Sequence, residues 1–420
     1  MQTAVYWLEN IISQLNHMII YGLAELKGVD DMKKKLLAVM IPAVLLTGTT
    51  QAVELYNDQT NSVNMMGWLG FAALNDGHET SVIDNFSRVG FRFDRQEKNG
   101  WRSFAHTEWG INMVTSDDGL IYTQGQGGGQ LSASKTSDFL FNRLGYVGMA
   151  HEKWGTLSFG KQWGAYYDVA YTTDVLNAFT GWSVGAYTFG DGGLTGAGRA
   201  DAALQYRNTF GNLHIAVQYA SKQNSDVALY DNQGHALNDG SELSFDPSYG
   251  ASATYYVTDK FKVLAGFNRG DFTGNLAGKD VDNTNQIIGI GAQYGSFYQY
   301  APGRDADGLY VGFNAHKSEQ NELVGGDLYD STGAEFIVAY HYDNGFVPSL
   351  LLTYQDLDTD ENTVIQGKWT RQFAVLGLHY RYSRDTIMYA EAKIDFSDMD
   401  DKAYEDLQDN NYAVGIRYFF

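Results

Sequence analysis

The chain is 420 residues long and carries 50 acidic against 29 basic residues, a net charge of −21 that repels nucleic acid and argues against any polyanionic partner. It has no cysteine, which excludes a disulfide framework and a thiolate metal site. With 47 glycines, 29 tyrosines and only 4 prolines, the composition reads as all-β.

In chain order, a targeting segment comes first. Met32-Lys33-Lys34-Lys35 is a basic start, Leu36 to Leu46 is an apolar run, and Thr47 to Ala52 is small and polar. This predicts a secretory signal peptide over 32–52, cleaved after Ala52, with an apolar part too short to cross a membrane as a helix. A signal's basic region normally opens a protein, so residues 1–31 are expected to be a mis-set upstream extension. Residues 1–52 hold four acidic and four basic groups, so the mature chain 53–420 keeps the whole net charge. No later apolar run approaches the roughly 20 residues a spanning helix needs.

The rest alternates with period two between turn clusters. Segments fall near 63–74, 84–96, 100–114, 139–152, 154–162, 199–210, 212–222 and 248–257. They continue near 259–270, 284–294, 307–318, 332–343, 345–356, 369–382, 384–396 and 410–420. Sixteen is an even number, as a single-chain bacterial barrel requires, and strands of about ten residues suit the outer membrane. The faces have the polarity for lipid outside and water inside. Leu376, Leu378, Tyr380 and Tyr382 oppose Gly377, His379 and Arg381; Tyr412, Val414, Ile416 and Tyr418 oppose Ala413, Gly415 and Arg417. A barrel of this width encloses an aqueous channel. The expected fold is therefore a transmembrane antiparallel up-and-down β-barrel of 16 strands. Short turns such as Asp343-Asn344-Gly345 fall at one end, and longer polar loops (115–138, 223–247, 271–283, 319–331, 357–368, 397–409) at the other.

One connection differs. Residues 163–198 are rich in glycine and aromatics, among them Trp163, Tyr167, Phe179, Trp182 and Tyr187. A loop this long and aromatic needs a surface to pack on. The barrel wall, reached by folding inward, supplies one and narrows the lumen.

Other constellations are weaker. Asp356-x-Asp358-x-Asp360 opens like a calcium loop, but Glu361 replaces the glycine and Gly367 the bidentate glutamate. Gly125 to Gly129 lacks the strand-to-helix setting of a phosphate cradle. The acidic runs Asp398 to Asp401 and Asp280 to Asp282 read as solvated loop faces, with cation-bridged lipopolysaccharide as their other reading. No cofactor is expected.

The sequence resembles the general bacterial porins, the trimeric sixteen-stranded outer-membrane channels. The likeness is carried by Asn142 to Gly148, by Gly155 to Gly164, and by Tyr167-Asp168-Val169 with Thr173-Asp174-Val175-Leu176. Ser87 to Phe91, Gln205 to Asn208 and the terminal Tyr418-Phe419-Phe420 extend it. The resemblance implies an outer-membrane homotrimer in a Gram-negative bacterium, in contact with lipid and lipopolysaccharide, passing ions and small hydrophilic solutes by diffusion without catalysis. It further implies a constriction of Arg88, Arg143 and Arg199 on the wall facing Asp174 on the third loop. Trp68, Arg92, Arg207, Lys161 and Asp168 are expected to line the lumen nearby. Two departures matter. The family's Pro-Glu-Phe-Gly-Gly reads Asn177-Ala178-Phe179-Thr180-Gly181, which removes a loop acid, and the family's first-strand lysine is Trp68. Ion preference is therefore expected to be weakly cationic in dilute salt and to fade or reverse as salt rises. The rival readings are an outer-membrane barrel hydrolase and a surface receptor or adhesin.

Overall fold

The computed structural model describes residues 52–114, 119–123, 132–136, 139–226, 229–230, 236–237, 241–299, 306–360, 363–401 and 408–420. Contacts divide the chain into Met1–Val44 and Leu45–Phe420, and everything described belongs to the second unit. The expected upstream extension 1–31, the expected signal peptide up to residue 51 and the glycine-rich 125–129 lie outside the described residues.

Sixteen antiparallel staves close on themselves. They are β1 Asn61–Asn75, β2 (Thr80–Asp84 continued by Arg88–Gln96), β3 Trp101–Ile111, β4 Leu140–His151, β5 Gly155–Trp163, β6 Arg199–Phe210, β7 Leu213–Ala220 and β8 Ser248–Tyr256. The second half comprises β9 Phe261–Leu276, β10 Lys279–Tyr294, β11 Gly308–Val324, β12 Asp327–His341, β13 Phe346–Leu357, β14 Trp369–Arg381, β15 Thr386–Asp395 and β16 Asn411–Phe419. Each pairs with the next, and β16 returns to β1 with Trp68 opposite Phe419 and Asn75 opposite Tyr412. Phe420 exchanges two 3.0 Å backbone hydrogen bonds with Gly67. The short strand Val53–Asn57 pairs with the start of β1 along the same edge as β16, so both segments share one stave. Closure leaves no unpaired edge for hydrocarbon to meet.

The outward face is apolar. Val147, Leu157, Phe159, Ile288, Ile290, Leu376 and Val414 are among its most exposed side chains. An exposed apolar band of this kind is what a bilayer requires and water does not tolerate.

Two expected loops are strands instead. β9 and β10 pair without interruption from Phe261 opposite Tyr294 to Leu276 opposite Lys279, so 271–283 is the top of a hairpin. Its turn residues Ala277 and Gly278 have φ of +50° and +79°, the left-handed pair of a tight hairpin turn. Likewise 319–331 closes at Gly325 and Gly326, with φ of +61° and +80°. The acidic run Asp280 to Asp282 therefore lies on β10 rather than in a loop.

The interior is divided. From β11 to β16 the inward positions include Ile337, Val347, Leu351, Phe373, Val375 and Ile387, all buried in one apolar cluster with loop residues that fold against them. The inward positions of β2 to β6 are instead charged, with Arg88, Arg92, Asp94, Glu108, Arg143, Lys161, Arg199, Asp201 and Arg207.

Candidate functional site

The third loop, residues 164–198, enters the lumen as its aromatic content requires. It opens with one helical turn, α1 Tyr167–Ala170, and Tyr167 stacks on Trp163 at 3.9 Å between ring centres. Val175, Leu176, Phe179 and Trp182 join the apolar side of the barrel. The approach is close: a Cβ on Gly312 of β11 would sit 1.9 Å from the Thr172 carbonyl oxygen, so only glycine admits the loop there. Gly181, with φ +71°, turns the tip back beside Asp174, where a Cβ would meet the carboxylate at 2.8 Å.

Wall carboxylates hold the tip. Glu391 of β15 accepts backbone N–H groups from Asn177 (2.7 Å), Ala178 (2.9 Å) and Phe179 (3.0 Å), and pairs with His379 Nε2 at 3.0 Å. Glu335 of β12 accepts Ser183 N–H at 2.9 Å and the Thr173 hydroxyl at 2.7 Å. Three successive N–H groups converging on one carboxylate form a strong charge-assisted clasp. At the loop's entrance Arg207 donates to Asp168 of α1 at 2.7 and 2.9 Å, and Ser252 donates to it at 2.5 Å. Asp168 and Arg207 thus face inward as expected, but as a buried tether under the loop.

Opposite the loop stand the expected arginines. Arg143 is bound through Nε to Glu108 at 2.8 Å, Arg88 through Nε to the Phe86 carbonyl at 3.1 Å, and Arg199 through Nε to Asp191 at 3.1 Å. Arg88 also approaches Glu108 at 3.7 Å and lies 3.7 Å over the ring of Trp68. Beyond these ties, no hydrogen bond to their terminal nitrogens occurs among the described residues. Arg88 lies within electrostatic reach of Arg143, Arg199 and Arg417. Lys161 is held by Asp191 at 2.9 Å and Asp201 at 2.5 Å; Arg92 pairs with Asp94 at 2.8 Å, and Arg102 joins the same carboxylate.

Asp174 is placed differently from the simple expectation of a bare loop acid. Its carboxylate accepts the Tyr167 hydroxyl at 2.7 Å and the Tyr187 hydroxyl as well. Burial, and next the Asp174 carboxylate, push the Tyr187 hydroxyl well above its ordinary value, so it remains a donor. Tyr187 in turn interacts electrostatically with Arg143 and Arg199. Besides Asp168 at the loop's entrance, Asp191 is in direct contact with the wall. Burial pushes its carboxyl up, but Arg199 and Lys161 outweigh that and hold it at about 2.

Sequence reading missed Glu108, Asp191, Tyr187 and the wall anchors Glu335 and Glu391, and it gave Arg417 an inward position but no role. Glu108, Glu335, Glu391 and Arg417 were legible as inward by alternation. Nothing local distinguishes Asp191 from other loop acids.

The chain matches the Gram-negative porin family over residues 73–420. It is 27% identical to outer membrane protein S2 of Salmonella typhi and 25% identical to outer membrane porin N of Escherichia coli strain K12, each over 93% of this chain and all of the relative. Its fold is similar to that of Salmonella typhi OmpF, solved in complex with daunomycin, with a TM-score of 0.65 and 18% identity over 88% of this chain and all of that one. A closed sixteen-stave barrel, an inward third loop facing wall arginines, and a family match over most of its length make this chain a member of the Gram-negative porins, an outer-membrane diffusion channel.

Proposed function

We propose that solutes pass between the wall of Arg88, Arg143 and Arg199 and the third loop, and that this narrowing favours small hydrophilic anions. The observation that carries the reading is the way the three guanidiniums are tied. Each is anchored through Nε, which leaves its terminal N–H groups to meet water and solutes. The loop answers with little free negative charge: Asp174 is capped by two tyrosine hydroxyls and Asp191 is bound to Arg199 and Lys161. Local charge in a narrow, water-poor passage outweighs distant mouth charge once salt screens the latter, since the Debye length is about 10 Å at 0.1 M. The mouths of an acidic chain concentrate cations only in dilute salt.

The working unit is a homotrimer set in lipopolysaccharide and lipid, a reading supported by family membership. It is a channel and not an enzyme: the inward titratable groups of the narrowing serve as tethers for the loop and for one another. Purified protein in planar bilayers should give stepwise conductance, with reversal potentials that move from cation towards anion preference as salt rises. Liposome swelling with sugars of increasing size should show a steep cutoff. No swelling with any sugar or amino acid would overturn the diffusion reading, and hydrolase activity without conductance would favour the enzyme.

A further inference from the structure

Consecutive connections alternate between the two ends of an up-and-down barrel, so the β10–β11 connection, 295–307, leaves from the short-turn end, opposite the third loop. Its described start does not stay at the rim. Phe297 and Tyr298 are 1% and 0% exposed and belong to the apolar cluster that receives the third loop. Tyr298 N–H donates to His341 Nε2 at 3.3 Å, and its hydroxyl meets His379 Nδ1 at 3.1 Å and accepts the Asn177 amide at 3.0 Å. Gln299 then donates to the Val175 carbonyl at 2.9 Å and to Asn177 Oδ1 at 3.0 Å. Thus the short-turn rim sends a second segment inward, and it grips the tip of the loop that comes from the other rim.

The same glutamine faces the basic wall. Its Oε1 accepts from Arg417 at 3.4 Å. The other acceptors of Arg417, Asn85 Oδ1 at 3.4 Å and the Asn177 carbonyl at 3.5 Å, are also neutral, and the Trp68 ring lies 4.8 Å away. No carboxylate pairs with Arg417 among the described residues. Arg417 as a whole is 3% exposed, a cation with no counter-ion among the described residues, behind a neutral cover. The same Trp68 ring lies 3.7 Å from the Arg88 guanidinium.

We propose that Gly295–Gln299 is a second constriction element, built from the short-turn side, and that Gln299 is a specificity-determining residue which withholds the charge of Arg417 from the passage. The proposal rests on the reading that solutes pass between the third loop and the arginine wall. Removing the Gln299 amide uncovers a guanidinium next to that path, which adds positive charge and space together. Placing a carboxylate there pairs the cation and does the reverse.

The experiment compares Gln299→Ala, Gln299→Glu and Arg417→Gln by reversal potential and single-channel conductance in a potassium chloride gradient. Circular dichroism confirms a folded barrel for each. Gln299→Ala should raise conductance and move the reversal potential towards anions, and Gln299→Glu should move it towards cations. In an Arg417→Gln background the anion shift of Gln299→Ala should vanish. Unchanged reversal potentials in folded Gln299 variants would overturn the proposal, as would an anion shift that survives loss of Arg417. Arg143→Ala measured alongside separates the two failures. If it moves selectivity towards cations while the Gln299 variants are silent, the arginine-wall passage stands and the second element falls. If Arg143→Ala is silent, the passage itself lies elsewhere.

Discussion

Replacing Glu391 with glutamine tests how firmly the third loop is held. The carboxylate serves four donors: Asn177 N–H and His379 Nε2 on one oxygen, Ala178 and Phe179 N–H on the other. Glutamine keeps one oxygen and turns an amide NH2 towards the remaining pair, so two charge-assisted bonds are lost and donor faces donor. Hydrogen bonds to charged groups contribute about 1.5–3 kcal/mol each. The gross loss is then roughly 3–6 kcal/mol, part of which water recovers when the tip swings away. A net cost of about 3 kcal/mol makes the detached tip roughly a hundredfold more populated, at 1.4 kcal/mol per tenfold. The barrel ladder is untouched, so global stability should change far less than local stability. Hydrogen exchange at the amides of 177–179 reads the local opening directly. Exchange should accelerate there and not in β13 or β14, and single-channel records should become noisier. If those amides keep wild-type protection in folded protein, Glu391 does not hold the loop and the clasp has no energetic role.

Deleting Asn177 to Asp191 should raise single-channel conductance, and an unchanged value would place the loop outside the solute path. Arg143→Ala should move the reversal potential towards cations, because it removes a wall charge and frees Glu108; Asp174→Asn should move it towards anions by less, since two tyrosine hydroxyls already cap that carboxylate. The Asp191 carboxyl sits at about 2 in the folded protein against an ordinary 3.8. A depressed acid contributes stability that is complete above its unfolded value and lost as pH falls through its folded one. The Asp191–Arg199–Lys161 tie should therefore survive acidification from neutrality to about pH 4 and break only near pH 2. A selectivity change with a midpoint between about pH 5 and 6 that disappears in Asp191→Asn would contradict this.

All sixteen staves were legible in the chain itself, because pleat alternation is a property of each strand and the bilayer imposes opposite chemistry on its two faces. That reading assigned Arg88, Arg143 and Arg417 to the face away from lipid, whereas Arg199 rested on the resemblance to porins alone. It failed where the physical contrast ends. There 271–283 and 319–331 look like loops because polar residues dominate them, although Ala277-Gly278 and Gly325-Gly326 mark their turns and Phe272, Leu276, Leu323 and Leu328 are buried in a small apolar cluster on the inner side. The aromatic content of the third loop dictated that it must pack inward, but not on what. Its clasp joins Asn177 to Glu391, 214 positions apart, and Gln299 reaches Asn177 across 122. Which inward group is paired, capped or left free is set by meetings across the lumen. No local pattern encodes them, and only closure of the barrel brings them within hydrogen-bonding distance.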